Sequence, residues 1–119
     1  MAANVRDIFS SHLGFLLSRS GKSQMDMARD LNVATGTVSS WVNGKKFPRA
    51  DVMERIADYL GVRMTTLIEE NGLDVFLQEE DDRRILAAYH AADPALQAAV
   101  RKLLDLPDVE KKGVSLSAG

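Results

Sequence analysis

The 119-residue chain reads as all-helical, with five short helices in residues 1–70 and a helical hairpin over residues 79–106. Three observations carry that reading. Apolar residues recur at the i, i+3, i+4 spacing of a buried helical face. Strand-like alternation nowhere persists. A residue suited to end a helix (Gly21, Asn32, Gly44 or Gly61) follows each of the first four candidates.

The first helix spans roughly Val5 to Arg19, with Val5, Ile8, Phe9, Leu13, Leu16 and Leu17 along one stripe and Gly21 as its cap. Ser23 caps a short second helix, and Asp26 three residues on forms a weaker capping box. Met27, Ala28 and Leu31 point inward, and Asn32 occupies a tight turn where Asn tolerates left-handed backbone. A third helix covers about Ala34 to Asn43 and stops at Gly44. Pro48 closes the next loop, and a fourth helix runs from about Ala50 to Leu60 before Gly61. Met64 to Glu70 reads as a short fifth helix. Residues 71–78 read as a linker with an apolar patch, Leu73, Val75, Phe76 and Leu77, either a short strand or an irregular packed segment. Helices at about Glu80–Ala92 and Pro94–Leu106 form the hairpin. Asp93 caps the second, and Pro94 suits its first position. Residues 107–119 read as a flexible tail.

Composition excludes several classes. Apolar residues make up 45%, enough to bury a core. No run approaches the ~20 apolar residues of a bilayer span, so no membrane partner is expected. Met1-Ala2-Ala3-Asn4 lacks the basic and apolar regions of a secretory signal, and the absence of cysteine fits a reducing, cytoplasmic setting. His12 and His90 belong to no ligand motif, and no nucleophile–base pair or phosphate loop is readable. The expectation is no enzyme, no cofactor and no metal. Net charge is −2, unevenly spread. Residues 1–68 hold nine Lys and Arg against six Asp and Glu, while residues 69–119 hold six against eleven. A mildly basic front half is joined to an acidic back half.

The most informative stretch is Ser23 to Pro48, two short helices joined by a tight turn. That is the arrangement of a helix-turn-helix, whose second helix lies in the DNA major groove. Such a unit needs a small residue where the helices meet, and Ala28 supplies it. At 100° per residue, Val38, Trp41 and Val42 cluster on one side of the second helix, while Thr35, Gly36, Ser39, Ser40 and Asn43 occupy the other. Trp41 reads as core, His12 as a partly buried structural histidine, and His90 as surface or interface. Gly36 admits two readings, a helix defect or a gap that lets the backbone approach bases.

Over residues 8–70 the chain resembles the lambda-repressor-like helix-turn-helix proteins, also called the xenobiotic-response-element family. The matching marks are Ser23-Gln24, Ala28, Leu31, Val33, Thr37-Val38, Trp41, Asn43-Gly44-Lys45, Pro48, Ala57 and Leu60-Gly61-Val62. The resemblance implies a five-helix domain that binds double-stranded DNA and regulates transcription, most often as a repressor. It implies that Gln24 bonds a phosphate and that Thr35, Gly36, Ser39 and Ser40 face base edges. Asn43, Lys45 and Lys46 would meet phosphates, and Thr37 is counted with the DNA-binding residues. Three positions depart from the family pattern. Ala34 stands where a Ser cap is usual, so Thr35 is expected to cap instead. Lys22 stands where an apolar residue is usual and should snorkel. Leu17 and Val42 replace an Arg–Glu pair, a joint change that packed apolar groups can absorb.

Family members usually dimerise, and the hairpin is the candidate element. Ile85, Leu86, Tyr89, Leu96, Val100, Leu103 and Leu104 form apolar faces that a two-helix hairpin cannot cover alone. The expected assembly is a homodimer on an inverted-repeat operator. The alternative is a protein-interaction module of antitoxin or anti-repressor type, with a protein partner docking on the acidic hairpin.

Overall fold

A computed structural model describes residues 4–109. Among them lie α1 (Val5–Ser20), α2 (Gln24–Leu31), α3 (Thr35–Val42), α4 (Ala50–Leu60), α5 (Met64–Ile68), α6 (Gly72–Ala91) and α7 (Pro94–Leu103), with no strand. The chain divides into two compact units at Glu79/Glu80.

In the first unit, local signals set the helix ends. The Asn4 side chain accepts from the Asp7 amide at 2.9 Å and caps α1. Ser23 and Asp26 form the reciprocal capping box expected at α2, with both bonds at 3.0 Å. Gly21 and Gly61 end α1 and α4 in left-handed conformation. Between these ends the apolar stripes meet in one core. Phe9, Leu13, Leu16 and Leu17 from α1 pack with Met27, Ala28 and Leu31 from α2. Val38 and Trp41 of α3, Met53, Ile56 and Ala57 of α4, and Leu67 of α5 complete it. Trp41 is therefore core, as its spacing implied. His12 is buried too, and its Nδ1 lies 2.9 Å from the Thr66 carbonyl oxygen, which ties α1 to α5.

The segment 71–78 differs from expectation. It is neither strand nor irregular linker but the first two turns of α6. Leu73 and Phe76 stand three residues apart, a helical spacing, and both pack against the core. The Arg19 guanidinium lies 5.7 Å over the Phe76 ring, and Arg63 bonds Glu79 at 2.6 Å. Gly72 explains how the helix can start there. A Cβ on Gly72 would fall 2.4 Å from the Thr65 carbonyl oxygen and 2.6 Å from that of Thr66, so only glycine allows this approach of α6 to α5.

The second unit holds the rest of α6 and α7. Asp93 accepts from the Leu96 amide at 2.8 Å, and Pro94 fills the first position of α7, as expected. The Gln97 side chain on α7 donates to the carbonyls of Tyr89 and Ala92 at 2.9 and 3.1 Å, satisfying the end of α6. Helix α7 ends at Leu103, three residues before the expected Leu106, because Asp105 turns left-handed with φ 58°. The tail expected over 107–119 lies outside the described residues from 110 onward.

Candidate nucleic-acid interface

The turn between α2 and α3 is built as a helix-turn-helix requires. Asn32 adopts φ 58°, ψ 48°, and the Val33 amide reaches back to the Ala28 carbonyl at 2.9 Å. Ala28 itself is 2% exposed, so its small side chain sits in the α2–α3 joint. The joint orients α3 with Val38 and Trp41 inward.

The opposite side of α3 collects most of the expected DNA-binding residues. Thr35, Gly36 and Asn43 are exposed there, while Thr37, Ser39 and Ser40 are half-buried. Gln24 is half-buried at the first position of α2. Thr35 does not cap α3. The cap position is Ala34, which offers no side-chain oxygen, and Thr35 is already the first helical residue. Its hydroxyl is therefore not committed to the helix end. The Ser40 hydroxyl donates to the Gly36 carbonyl at 2.9 Å, and Asn43 Nδ2 lies 3.2 Å from Ser39 Oγ.

Beyond α3 the backbone folds tightly. Gly44 adopts φ 74°, a conformation in which any side chain would be strained. The amides of Lys45 and Lys46 both point at the Ser40 carbonyl, at 2.8 and 3.2 Å. The Ser10 hydroxyl donates to the Val42 carbonyl and fastens this end of α3 to α1. The sequence reading missed Ser10, since no local pattern links residues so far apart. Lys45 and Lys46 are exposed and, among the described residues, join no ion pair.

The acidic residues of α2 are neutralised locally. Asp26 lies 3.4 Å from Arg29, and Asp30 lies 3.2 Å from Arg29 and 3.8 Å from Lys22. The Ser23 amide and hydroxyl hold the Asp26 carboxyl below its ordinary range, and the Tyr59 hydroxyl does the same for Asp30. Tyr59 donates to Asp30 at 2.7 Å, and burial together with that bond pushes its own pKa up to about 12. Lys22 snorkels as expected, its ammonium 5.8 Å over the Tyr59 ring.

In the second unit, Ile85, Leu86, Leu96, Leu103 and Leu104 are exposed, and Tyr89 and Val100 are half-buried. Two grooves run between α6 and α7. One, of about 160 Å³, is lined by Ile85, Leu86, Tyr89, Val100, Leu104 and Leu106, with Arg101 at its side. The other, of about 310 Å³, adds Ala88, Ala92 and Leu96. Leu103, 85% exposed, lines neither groove. Among the described residues no helix is long and apolar enough to cross a membrane.

The model of the Cro/C1-type helix-turn-helix DNA-binding domain matches residues 12–71. The 26 kDa repressor protein of Escherichia phage HK022 is 32% identical over 77 residues, covering 59% of this chain and 33% of the phage protein. The chain thus spans about a third of the length of that curated relative. Among solved structures, the SOS-response transcriptional repressor LexA from Eubacterium rectale aligns with a TM-score of 0.54 at 30% identity, over 59% of this chain and 76% of that one. The clp gene regulator ClgR from Corynebacterium glutamicum aligns with a TM-score of 0.55 at 21% identity, over 76% and 98%, a likeness of fold alone.

Proposed function

The chain belongs to the Cro/C1-type helix-turn-helix DNA-binding family, a family of binding domains and not of enzymes, and from that premise we propose that it is a cytoplasmic transcriptional repressor that binds an inverted-repeat operator as a homodimer. The observation that carries this is the outer side of α3. Its short polar side chains face away from the core, next to two exposed lysines on a loop whose amides bond back to α3. Thr35, Gly36, Thr37, Ser39 and Ser40 meet base edges or the groove wall, and Gln24, Asn43, Lys45 and Lys46 meet phosphates. The phosphate contacts supply affinity, and α3 supplies choice of sequence.

One α3 helix reads one half-site, which is too little for tight specific binding. Two copies related by a two-fold axis place their α3 helices one DNA turn apart, about 34–36 Å. The hairpin is the surface that joins them. Its apolar side chains line open grooves, and residues 69–119 carry eleven acidic against six basic residues, which suits a face turned away from DNA. The similarity to a phage repressor and to an SOS-response repressor supports repression.

Sedimentation of the full chain at micromolar concentration tests the assembly. The expected result is a dimer that the double substitution Ile85→Glu, Leu104→Glu converts to a monomer. A wild-type monomer would contradict it and turn the grooves toward a different protein, the antitoxin or anti-repressor reading.

A further inference from the structure

Ser40 is the one outward side chain of α3 whose hydroxyl lies against an unambiguous acceptor. Its Oγ lies 2.9 Å from the Gly36 carbonyl oxygen, one turn back. A carbonyl can only accept, so the single hydroxyl proton of Ser40 points into the helix. Only lone pairs remain on the outward side of the oxygen. Asn43 and Ser39 give no such certainty, because an amide oxygen and nitrogen can exchange places in that pair.

Gly36 adds a second observation. A Cβ built there meets nothing within 4 Å, and the residue is exposed. Nothing in the protein's own packing calls for glycine at this point of a helix. The missing side chain leaves the Ser40 oxygen approachable from the first turn of α3.

Resting on the reading of α3 as the helix that enters the major groove, we propose that Ser40 selects a base bearing an exocyclic amino group by acting as a hydrogen-bond acceptor only. In the major groove, adenine N6 and cytosine N4 present donors, whereas guanine and thymine present acceptors. An amino group can donate to Ser40 Oγ while the bond to Gly36 stays in place. A guanine or thymine oxygen at the same point would face lone pairs, unless the hydroxyl swung outward and gave up its bond to Gly36. The small reach of serine confines the effect to one base pair in each half-site.

The test uses the full chain. Operator duplexes are first selected from random DNA. Wild-type protein and Ser40→Ala are then titrated against duplexes carrying each base pair at every half-site position. The expected result is one position where the wild type prefers adenine or cytosine by about fivefold, the worth of one hydrogen bond, and Ser40→Ala does not. Replacing that base with its amino-free analogue, purine for adenine or 2-pyrimidinone for cytosine, should cost the wild type the same factor and Ser40→Ala nothing. The analogue that shows the loss identifies which base is read. A preference for guanine or thymine that Ser40→Ala abolishes would overturn the proposal by making Ser40 a donor. Unchanged preferences in Ser40→Ala, with its thermal midpoint intact, would overturn it by removing Ser40 from readout. If the wild type enriches no sequence at all, the reading of α3 as a recognition helix fails and the proposal falls with it.

Discussion

Gly36→Ala should make the protein more stable and a poorer DNA binder. The methyl group would meet no atom within 4 Å, so the fold accommodates it without strain. The residue is the second of the eight in α3, where alanine is favoured over glycine by roughly 0.5–1 kcal/mol. For a unit of this size that raises the thermal midpoint by roughly 2–8 °C. On DNA the same methyl enters the space between the helix backbone and the base edges. Forcing a methyl into a close-packed contact costs roughly 1–3 kcal/mol, and a loss of tenfold or more in operator affinity is expected. Calorimetry of the free protein and fluorescence anisotropy with a selected operator, at one salt concentration, give both numbers. A raised midpoint with undiminished affinity would show that the α3 backbone does not approach the bases. Internal packing does not require glycine at position 36, and the pair of measurements decides between a helix defect and a close approach to the bases.

Gly72→Ala should act in the opposite sense. Its Cβ would lie 2.4–2.8 Å from the backbone of Thr65 and Thr66, so the start of α6 must shift, and a cost of roughly 1–3 kcal/mol should lower the midpoint by roughly 4–24 °C in the same calorimeter. Replacing both Lys45 and Lys46 with Ala removes two exposed cations from each copy, four from the dimer on its operator, so the slope of log K against log salt should flatten by about 3.6 with the midpoint unchanged; an unaltered slope would move the loop off the backbone. Tyr59→Phe tests the Tyr59–Asp30 bond through pH. Tyr59 is raised to about 12 in the fold, whereas an unfolded tyrosine ionises near 10, so its contribution is intact below about 10 and is lost as pH rises toward 12. Urea melts across that window should show a steeper decline for the wild type than for Tyr59→Phe.

The elements legible in the sequence were those with local causes. Ser23 and Asp26 announced the start of α2, Asn32 the turn, and Gly61 the end of α4, because each acts on backbone groups within a few residues. The side of α3 that faces outward followed from spacing alone, since Val38 and Trp41 leave only one side free. The misread segment shows where local reasoning stops. Leu73 and Phe76 carry a helical spacing, but Val75 between them and Leu77 after them blur it, and the start signal of Asn71 before Gly72, with Asp74 three residues on, went unread. What allows α6 to begin there is a close approach to α5, a tertiary fact. The bond from Ser10 to Val42 was hidden for the same reason, being made across 32 positions of chain. Thr35 was read as a cap from its chemistry, yet the helix begins on it, and one position of register decides whether its hydroxyl serves the fold or a ligand. The hairpin's apolar residues were legible as a set, but the grooves between them were not, since these depend on how α6 and α7 pack.

Whether two copies of this chain place α3 in successive major grooves is decided by selecting bound sequences from random duplex DNA with the full chain. The expected result is an inverted repeat whose half-sites are centred about 10–10.5 base pairs apart, with hydroxyl-radical protection confined to one face of the duplex. A single asymmetric site bound by one copy, or no enrichment above the starting pool, would contradict it.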